Sequence, residues 1–214
     1  MQLFGGRKQD EALAKREEQV RKLETECRTL QTSLEDTREL VRHLDQDREL
    51  LLGALEHLRP GMDVQPQAQV LLDVCFKPLG LACFYVALAD WDQDLLRFVL
   101  YHEGGRFRNH PSRRLSDRSG LSERVLAGRR PVYIRTLEEG RAAGSLLTAA
   151  EQATGLIPHS WYGVPLGRGS RPSGLVSFQS FQTDAFSEGR RRVMDALTGL
   201  LSICMDGPPT PQGR

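Results

Sequence analysis

Seven consecutive heptads in one frame dominate the first sixty residues and constrain what the chain can fold into. With position a at 13, 20, 27, 34, 41, 48 and 55, the a residues are Leu13, Val20, Cys27, Leu34, Val41, Arg48 and Leu55. Position d then falls on Arg16, Leu23, Leu30, Thr37, Leu44, Leu51 and Leu58. Apolar residues at both positions over this many heptads point to a coiled coil. No proline interrupts Asp10 to Arg59, Gly53 is the one glycine within it, and Glu, Arg, Leu and Gln favour helix throughout. Asp10 is the expected N-cap. A helix of this length spans roughly 75 Å and cannot bury its own stripe. The seam of Leu13, Val20, Leu23, Cys27, Leu30, Leu34, Val41, Leu44, Leu51, Leu55 and Leu58 therefore calls for a partner, and leucine at d with valine at two a positions suits a parallel homodimer. A helix folded back on the rest of the chain is the alternative.

Arg59-Pro60-Gly61 stops the helix, and the pattern then changes. A second amphipathic helix starts near Asp63 and Pro66 and runs through Val70, Leu71, Val74, Cys75 and Leu79, with a face wide enough for a core. Ala82–Ala89 and Leu95–His102, separated by Trp91-Asp92-Gln93-Asp94, read as a hairpin. A polar, Arg-rich loop follows over 103–119, with Arg114-Leu115 extended. Next come a short helix over 120–127, a strand over 131–135 and a weakly helical stretch over 136–155. Trp161–Leu166 and Leu175–Phe181 are two further strands joined by a Gly/Arg/Ser loop. Ser187 caps a last helix carrying Val193, Met194, Leu197, Leu200, Leu201 and Cys204. The expected organisation is a disordered N-terminus over 1–9, a coiled-coil helix over 10–59, a linker over 60–63, a domain over 64–206 and a disordered tail over 207–214. The fold class is α+β, a mostly antiparallel sheet flanked by helices and preceded by the long helix.

A net charge of +1 gives no bulk electrostatic case for nucleic acid or membrane as partner. None of the four cysteines, Cys27, Cys75, Cys83 and Cys204, forms a C-x-x-C pair, which argues for a reducing, cytoplasmic location and against a metal site. The N-terminus lacks the apolar stretch of a secretory signal, and no window reaches the ~20 apolar residues of a membrane span.

Four passages, in order, resemble the GAF domain, a ligand-sensing module of signalling proteins. They are Gly120-Leu121 with Val125-Leu126-Ala127-Gly128-Arg129-Arg130-Pro131-Val132, Gly163-Val164-Pro165-Leu166, Gly174-Leu175-Val176-Ser177-Phe178 and Phe186-Ser187-Glu188. The resemblance covers about residues 64–206 and implies the family's fold, with a coiled coil entering from the N-terminal side. The departures concern ligands. Arg135-Thr136 stands where an Asp often follows the third strand. The cyclic-nucleotide subset's Asn-Lys-x-Phe-Asp-Glu pattern is absent, as are a bilin-attachment cysteine and the grouped cysteines of the free-methionine-sulfoxide reductase branch.

By that resemblance, Tyr85, Phe98, Leu100, His102, Tyr133, Trp161 and Tyr162 lie on or beside strands that line the family's cavity. Aromatic rings with polar tips suit a flat or heterocyclic ligand, and suit a filled core equally. Arg106, Arg108, Arg113 and Arg114 share one loop that can cover such a cavity; they are the candidate anion contacts, against a solvated loop. His102, His110 and His159 have no carboxylate or cysteine spaced as co-ligands, and read as loop or strand-end histidines. Arg190-Arg191-Arg192 opens the last helix, where positive charge opposes the dipole, and marks either a solvated face or a partner contact. No phosphate-binding glycine motif is present, and the sequence names no cofactor and no metal. The expected function is a non-catalytic, dimeric regulatory protein that senses a small molecule or partner and passes the signal to another protein. An adaptor using the fold for protein contacts is the alternative, and a redox enzyme acting through Cys83 the third.

Overall fold

The computed structural model describes residues 4–117, 120–167 and 169–206. Two compact units divide at Gln46 and Asp47. The first helix, α1, runs unbroken from Phe4 to His57. It begins six residues before the expected cap, so Asp10 lies within it. Every residue from 13 to 46 is exposed. In this first unit the seam leucines and valines stand in the open, with Leu13 at 59%, Leu30 at 69% and Leu44 at 58% exposure. Such a stripe has no hydrophobic support of its own, which is the state of an unpartnered amphipathic helix.

The second unit opens with the last turns of α1, and here the heptad expectation needs correction. Leu50, Ala54 and Leu58, spaced by four, are buried in the domain core, and Leu51 is half-buried against it. Gly53 lies close enough to Val74 that a β-carbon would be 3.6 Å from its methyl groups. Leu58 and Leu51 therefore serve the domain rather than a seam, while Leu55 stays exposed at 54%. The i, i+4 stripe that buries these turns lies beside the a/d stripe, because a straight helix repeats every 3.6 residues and not every 3.5.

Helix α2 (Val64–Cys75) buries Gln67, Ala68, Leu71, Leu72 and Cys75, again at spacings of three and four. It is shorter than expected; Leu79 lies past its end in a turn but is still buried. The strands are β1 (Cys83–Asp90), β2 (Leu95–Glu103), β3 (Arg106–Phe107), β4 (Arg113–Arg114), β5 (Val132–Ile134), β6 (Ser160–Leu166) and β7 (Gly174–Ser180). Their order is β3-β2-β1-β7-β6-β5, with β4 pairing β2, and each pairing is antiparallel. Helix α3 spans Leu121–Gly128. The weakly helical stretch resolves into α4 (Leu137–Ala142) and α5 (Ala149–Thr154). The last helix, α6 (Glu188–Asp206), begins after Ser187, whose hydroxyl accepts from the Arg190 amide at 3.3 Å. The arginines that follow are held locally: Arg191 donates to the Phe186 carbonyl and lies 4.5 Å over Tyr133, and Arg192 pairs with Glu188. The proposed tail over 207–214 lies outside the described residues.

Both faces of the sheet are covered. On one, Phe84, Val86, Leu100, Val164, Val176 and Phe178 pack with α2, α6 and the end of α1. On the other, Tyr85, Ala87, Leu96, Tyr101, Trp161 and Leu175 meet α3 and the segments around it. No helix among the described residues is long and apolar enough to cross a membrane.

One irregularity decides which side chains reach which face. Opposite β1, the partner of Val86 is Leu100 but that of Ala87 is Phe98, so Val99 is an extra residue in β2. Such a bulge inverts the alternation beyond it. Phe98 and Tyr101 consequently share the α3 face, while Leu100 points to the other.

Truncating Leu58 to alanine is expected to lower the unfolding free energy by about 2–5 kcal/mol, read by urea denaturation, because it opens a cavity in the domain core. Oligomeric state by light scattering should not change.

Candidate functional site

The α3 face of the sheet carries a small cavity of about 70 Å³. Tyr85, Tyr101, Trp161 and Gln179 form its floor. Its walls come from the α3 N-terminus, the loop bearing His110 and Arg113, and the stretch from Thr136 to His159. Gly163 is required beneath the floor: a β-carbon there would lie 2.0 Å from the Trp161 ring, so the indole lies flat only over a residue without a side chain.

Five side chains stack where the floor meets one wall. The rings of Tyr85 and Tyr101 are parallel at 5.3 Å, and Phe98 stands edge-on to them at 5.4 and 5.8 Å. His110 lies 4.2 Å from Phe98 and 4.8 Å from Tyr101. The Arg113 guanidinium sits 5.4 Å over Phe98. Burial lowers the pKa of His110, favouring the neutral ring. The Tyr85 hydroxyl and Ser122 Oγ are 2.8 Å apart and buried, and burial pushes the Tyr85 phenol up.

Arg113 is also one half of an ion pair. Its Nε lies 2.7 Å from Glu123 Oε1, and its Nη2 donates to Oε2 at 3.1 Å. The Glu123 side chain is 4% exposed and that of Arg113 23%. Burial raises the pKa of Glu123 and the arginine's positive charge opposes the rise. On the opposite wall the Thr148 hydroxyl caps α5 and Glu151 Oε2 accepts from the Thr148 amide at 2.6 Å, a closed capping box. The same hydroxyl donates to Glu103 Oε1 at 3.0 Å. Burial raises Glu151 as well, hydrogen bonds from Thr148 oppose it, and the Glu103 charge adds to it.

Of the sequence candidates, Tyr85, Phe98 and Trp161 line this cavity. Leu100, His102, Tyr133 and Tyr162 do not. Leu100 belongs to the opposite core, and His102 packs edge-on against Phe76 at 4.5 Å and Phe107 at 5.2 Å. Tyr162 donates to Asp195 on α6 at 2.7 Å. Tyr133 donates to Asp184 at 2.8 Å and accepts from the Phe186 amide at 3.1 Å. The bulge at Val99 explains two of these misplacements, since regular alternation from Phe98 selects Leu100 and His102. Among the arginines, only Arg113 borders the cavity, and its charge is matched by Glu123; Arg106, Arg108 and Arg114 are exposed and outside it. His110 and His159 both contribute to the lining, as do Tyr101, Ser122, Glu151 and Gln179, which sequence reasoning did not select. Thr148-x-x-Glu151 was the readable signal among them, being the spacing of a capping box.

Cys83 lies under the same face, 1% exposed. Burial pushes its pKa up, so it is a thiol at neutral pH and not a nucleophilic thiolate.

Against this geometry, the family model described as the GAF domain matches residues 62–206. The chain belongs to the GAF domain family. A solved GAF domain from an Acinetobacter phosphoenolpyruvate-protein phosphotransferase is similar in fold, with a TM-score of 0.59, 17% identity and coverage of 75% of this chain and 90% of that one. The free methionine-R-sulfoxide reductase of Neisseria meningitidis, solved with its substrate, matches at 0.60 with 16% identity over 73% and 86% of the two chains. The GAF domain of the Coxiella burnetii phosphoenolpyruvate-protein phosphotransferase matches at 0.58 with 11% identity over 73% and 90%. A search of curated proteins gave no match. At these identities the solved structures speak for the GAF fold alone.

Two outcomes test the electrostatics of this GAF domain. Arg113→Met strands the Glu123 carboxylate and should cost about 3 kcal/mol in chemical denaturation, most of it recovered by adding Glu123→Leu. Glu151 has a folded-state pKa above its unfolded one, so the folded state holds its proton more tightly and stability from this group is lost as pH rises from the unfolded pKa through the raised one. Glu151→Gln should therefore melt higher than the parent at pH 7, with the gap closing towards pH 4.

Proposed function

We propose that this chain is a non-catalytic, dimeric regulatory protein whose GAF domain senses a small molecule and whose α1 pairs with α1 of a second copy. The observation that carries this reading is the open stripe on residues 13–46, where Leu13, Val20, Leu23, Leu30, Leu34, Val41 and Leu44 are each more than half exposed. Fully burying one such side chain contributes about 1.5–3 kcal/mol, so a helix of this length gains far more by pairing than its own propensity supplies. The same helix continues to His57, with its last turns in the domain core, so α1 belongs to both the pairing surface and the sensor. A shift in that core on ligand binding would bias the helix pair towards one of its geometries.

The buried polar lining of the cavity supports sensing. Non-catalytic use is supported by the cysteines: Cys83 lies on the α3 face, apart from Cys75 and Cys204 in the opposite core, and all three are buried. A size of about 70 Å³, well under the ~300 Å³ of an ordinary ligand pocket, favours as second reading an adaptor that uses the fold for protein contacts.

Cys27 provides a native probe of the pairing. It is exposed at an a position, while Cys75, Cys83 and Cys204 are buried. In a parallel, in-register dimer the two Cys27 thiols face each other, so mild oxidation should give a crosslinked dimer that Cys27→Ser abolishes. Leu30→Lys with Leu34→Lys should yield monomers in sedimentation, with the GAF domain melting unchanged. A wild-type chain that sediments as a monomer at micromolar concentration would overturn the dimer.

A further inference from the structure

Arginine interrupts the apolar stripe on α1 near each end. Arg16 occupies a d position and Arg48 an a position, and between them every a and d residue is apolar except Thr37. Both arginines are exposed, and Arg48 is the last seam residue before the helix enters the domain core at Leu50. Their local partners are weak or missing. Arg48 meets Glu49 at 3.1 Å, with the two side chains 66% and 69% exposed, and a pair so open to water contributes little. Arg16 has no ion pair among the described residues, and neither has Asp47. Glu17 reaches Arg21 at 3.9 Å, also in the open.

Knobs-into-holes packing decides what these arginines meet when a second α1 lies alongside in parallel and in register. A d side chain enters a hole bounded by a, d, e and the next a of the facing helix. An a side chain enters one bounded by the preceding d and g, the a, and the next d. Arg16 therefore enters a hole that holds Glu17 of the second copy, and Arg48 one that holds Asp47 of the second copy. Two-fold symmetry supplies each pair twice. The arginine stem covers the apolar part of its hole while the guanidinium takes the carboxylate at the flank. Sliding one helix by a heptad breaks the second match: Arg48 then faces Val41 or Leu55, with Leu40 or Ala54 where Asp47 stood. A covered arginine without its carboxylate is costly, so the wrong registers are penalised. Turning one helix end for end exchanges the partners, setting Arg48 beside Glu17 and Arg16 beside Asp47.

We propose that the second copy pairs with α1 in parallel and in register, and that Asp47 and Glu17 of each copy hold Arg48 and Arg16 of the other. The proposal rests on the pairing of α1 put forward above and adds the residues that set its alignment. Arginine at a seam position lowers the stability of a helix pair, and here it selects one alignment.

The test uses two full-length variants, Arg48→Glu and Asp47→Lys, alone and mixed, with one of them carrying a mass tag. Alone, each sets like charges across the seam twice, and its dimer dissociation constant by sedimentation should rise about tenfold or more. Mixed, each supplies what the other lacks: the introduced acid meets the introduced lysine, and the unchanged arginine meets the unchanged aspartate. Native mass spectrometry should then show a heterodimer, with an affinity within about threefold of the parent. Arg16→Glu with Glu17→Lys repeats the exchange at the other end of the stripe and carries the comparison should a variant at 47 or 48 fail to fold. Variants that pair as tightly as the parent overturn the proposal. A mixture as weak as its components, with the parent dimeric, overturns it and leaves the pairing of α1 standing. Recovery on mixing Arg48→Glu with Glu17→Lys instead overturns the parallel alignment. A parent chain that sediments as a monomer overturns the proposal together with the pairing itself.

Discussion

Burial of the sheet on both faces is the constraint on which the domain depends. A central strand such as β1 cannot offer one polar face to water; Cys83 through Ala87 are buried without interruption. Each face must then be closed by something, and the two closures differ in kind. The α2 and α6 face is sealed by hydrocarbon and aromatic side chains interlocked with the end of α1. The α3 face is closed by short helices and loops that bring hydroxyls, carboxylates and an arginine along with their apolar residues. Loops and short helices cannot fill space as densely as a long amphipathic helix, and a cavity with polar walls is the result.

The polar groups under that second face come at an energetic cost that a structural core alone would not require. Glu123 is buried with its arginine, and replacing such a pair by apolar residues is commonly neutral or stabilising. Glu151 closes a capping box, a task it could perform from the surface, yet it lies buried close to Glu103. Groups with raised carboxyl pKa values inside a cavity are characteristic of functional sites. The opposite face shows the contrast: its tyrosines, Tyr133 and Tyr162, donate to aspartates at the domain margin.

Much of the architecture was legible because it rests on periodicity. The heptads marked α1, alternation marked the paired strands, and short glycine-bearing passages marked the GAF fold. Three of the seven aromatic and strand candidates reach the cavity. The others fail for a local reason: the extra residue Val99 sends Leu100 and His102 to the far face, and bulges leave no composition signal in a run of apolar residues. Arg113 was selected as an anion contact because arginine suggests anions; its partner, ten residues on along the chain, is visible only once α3 folds beside β4.

The sequence by itself determined the long helix, the antiparallel α+β class and the family, because each follows from patterns repeated over many residues. Only the tertiary structure decided where the exposed stripe of α1 gives way to the core. That point depends on how α2 packs against Gly53 and how a 3.6-residue helix drifts from a seven-residue repeat. It also decided the charge of the cavity, since whether a glutamate is matched depends on which distant side chain the fold places within about 3 Å of it.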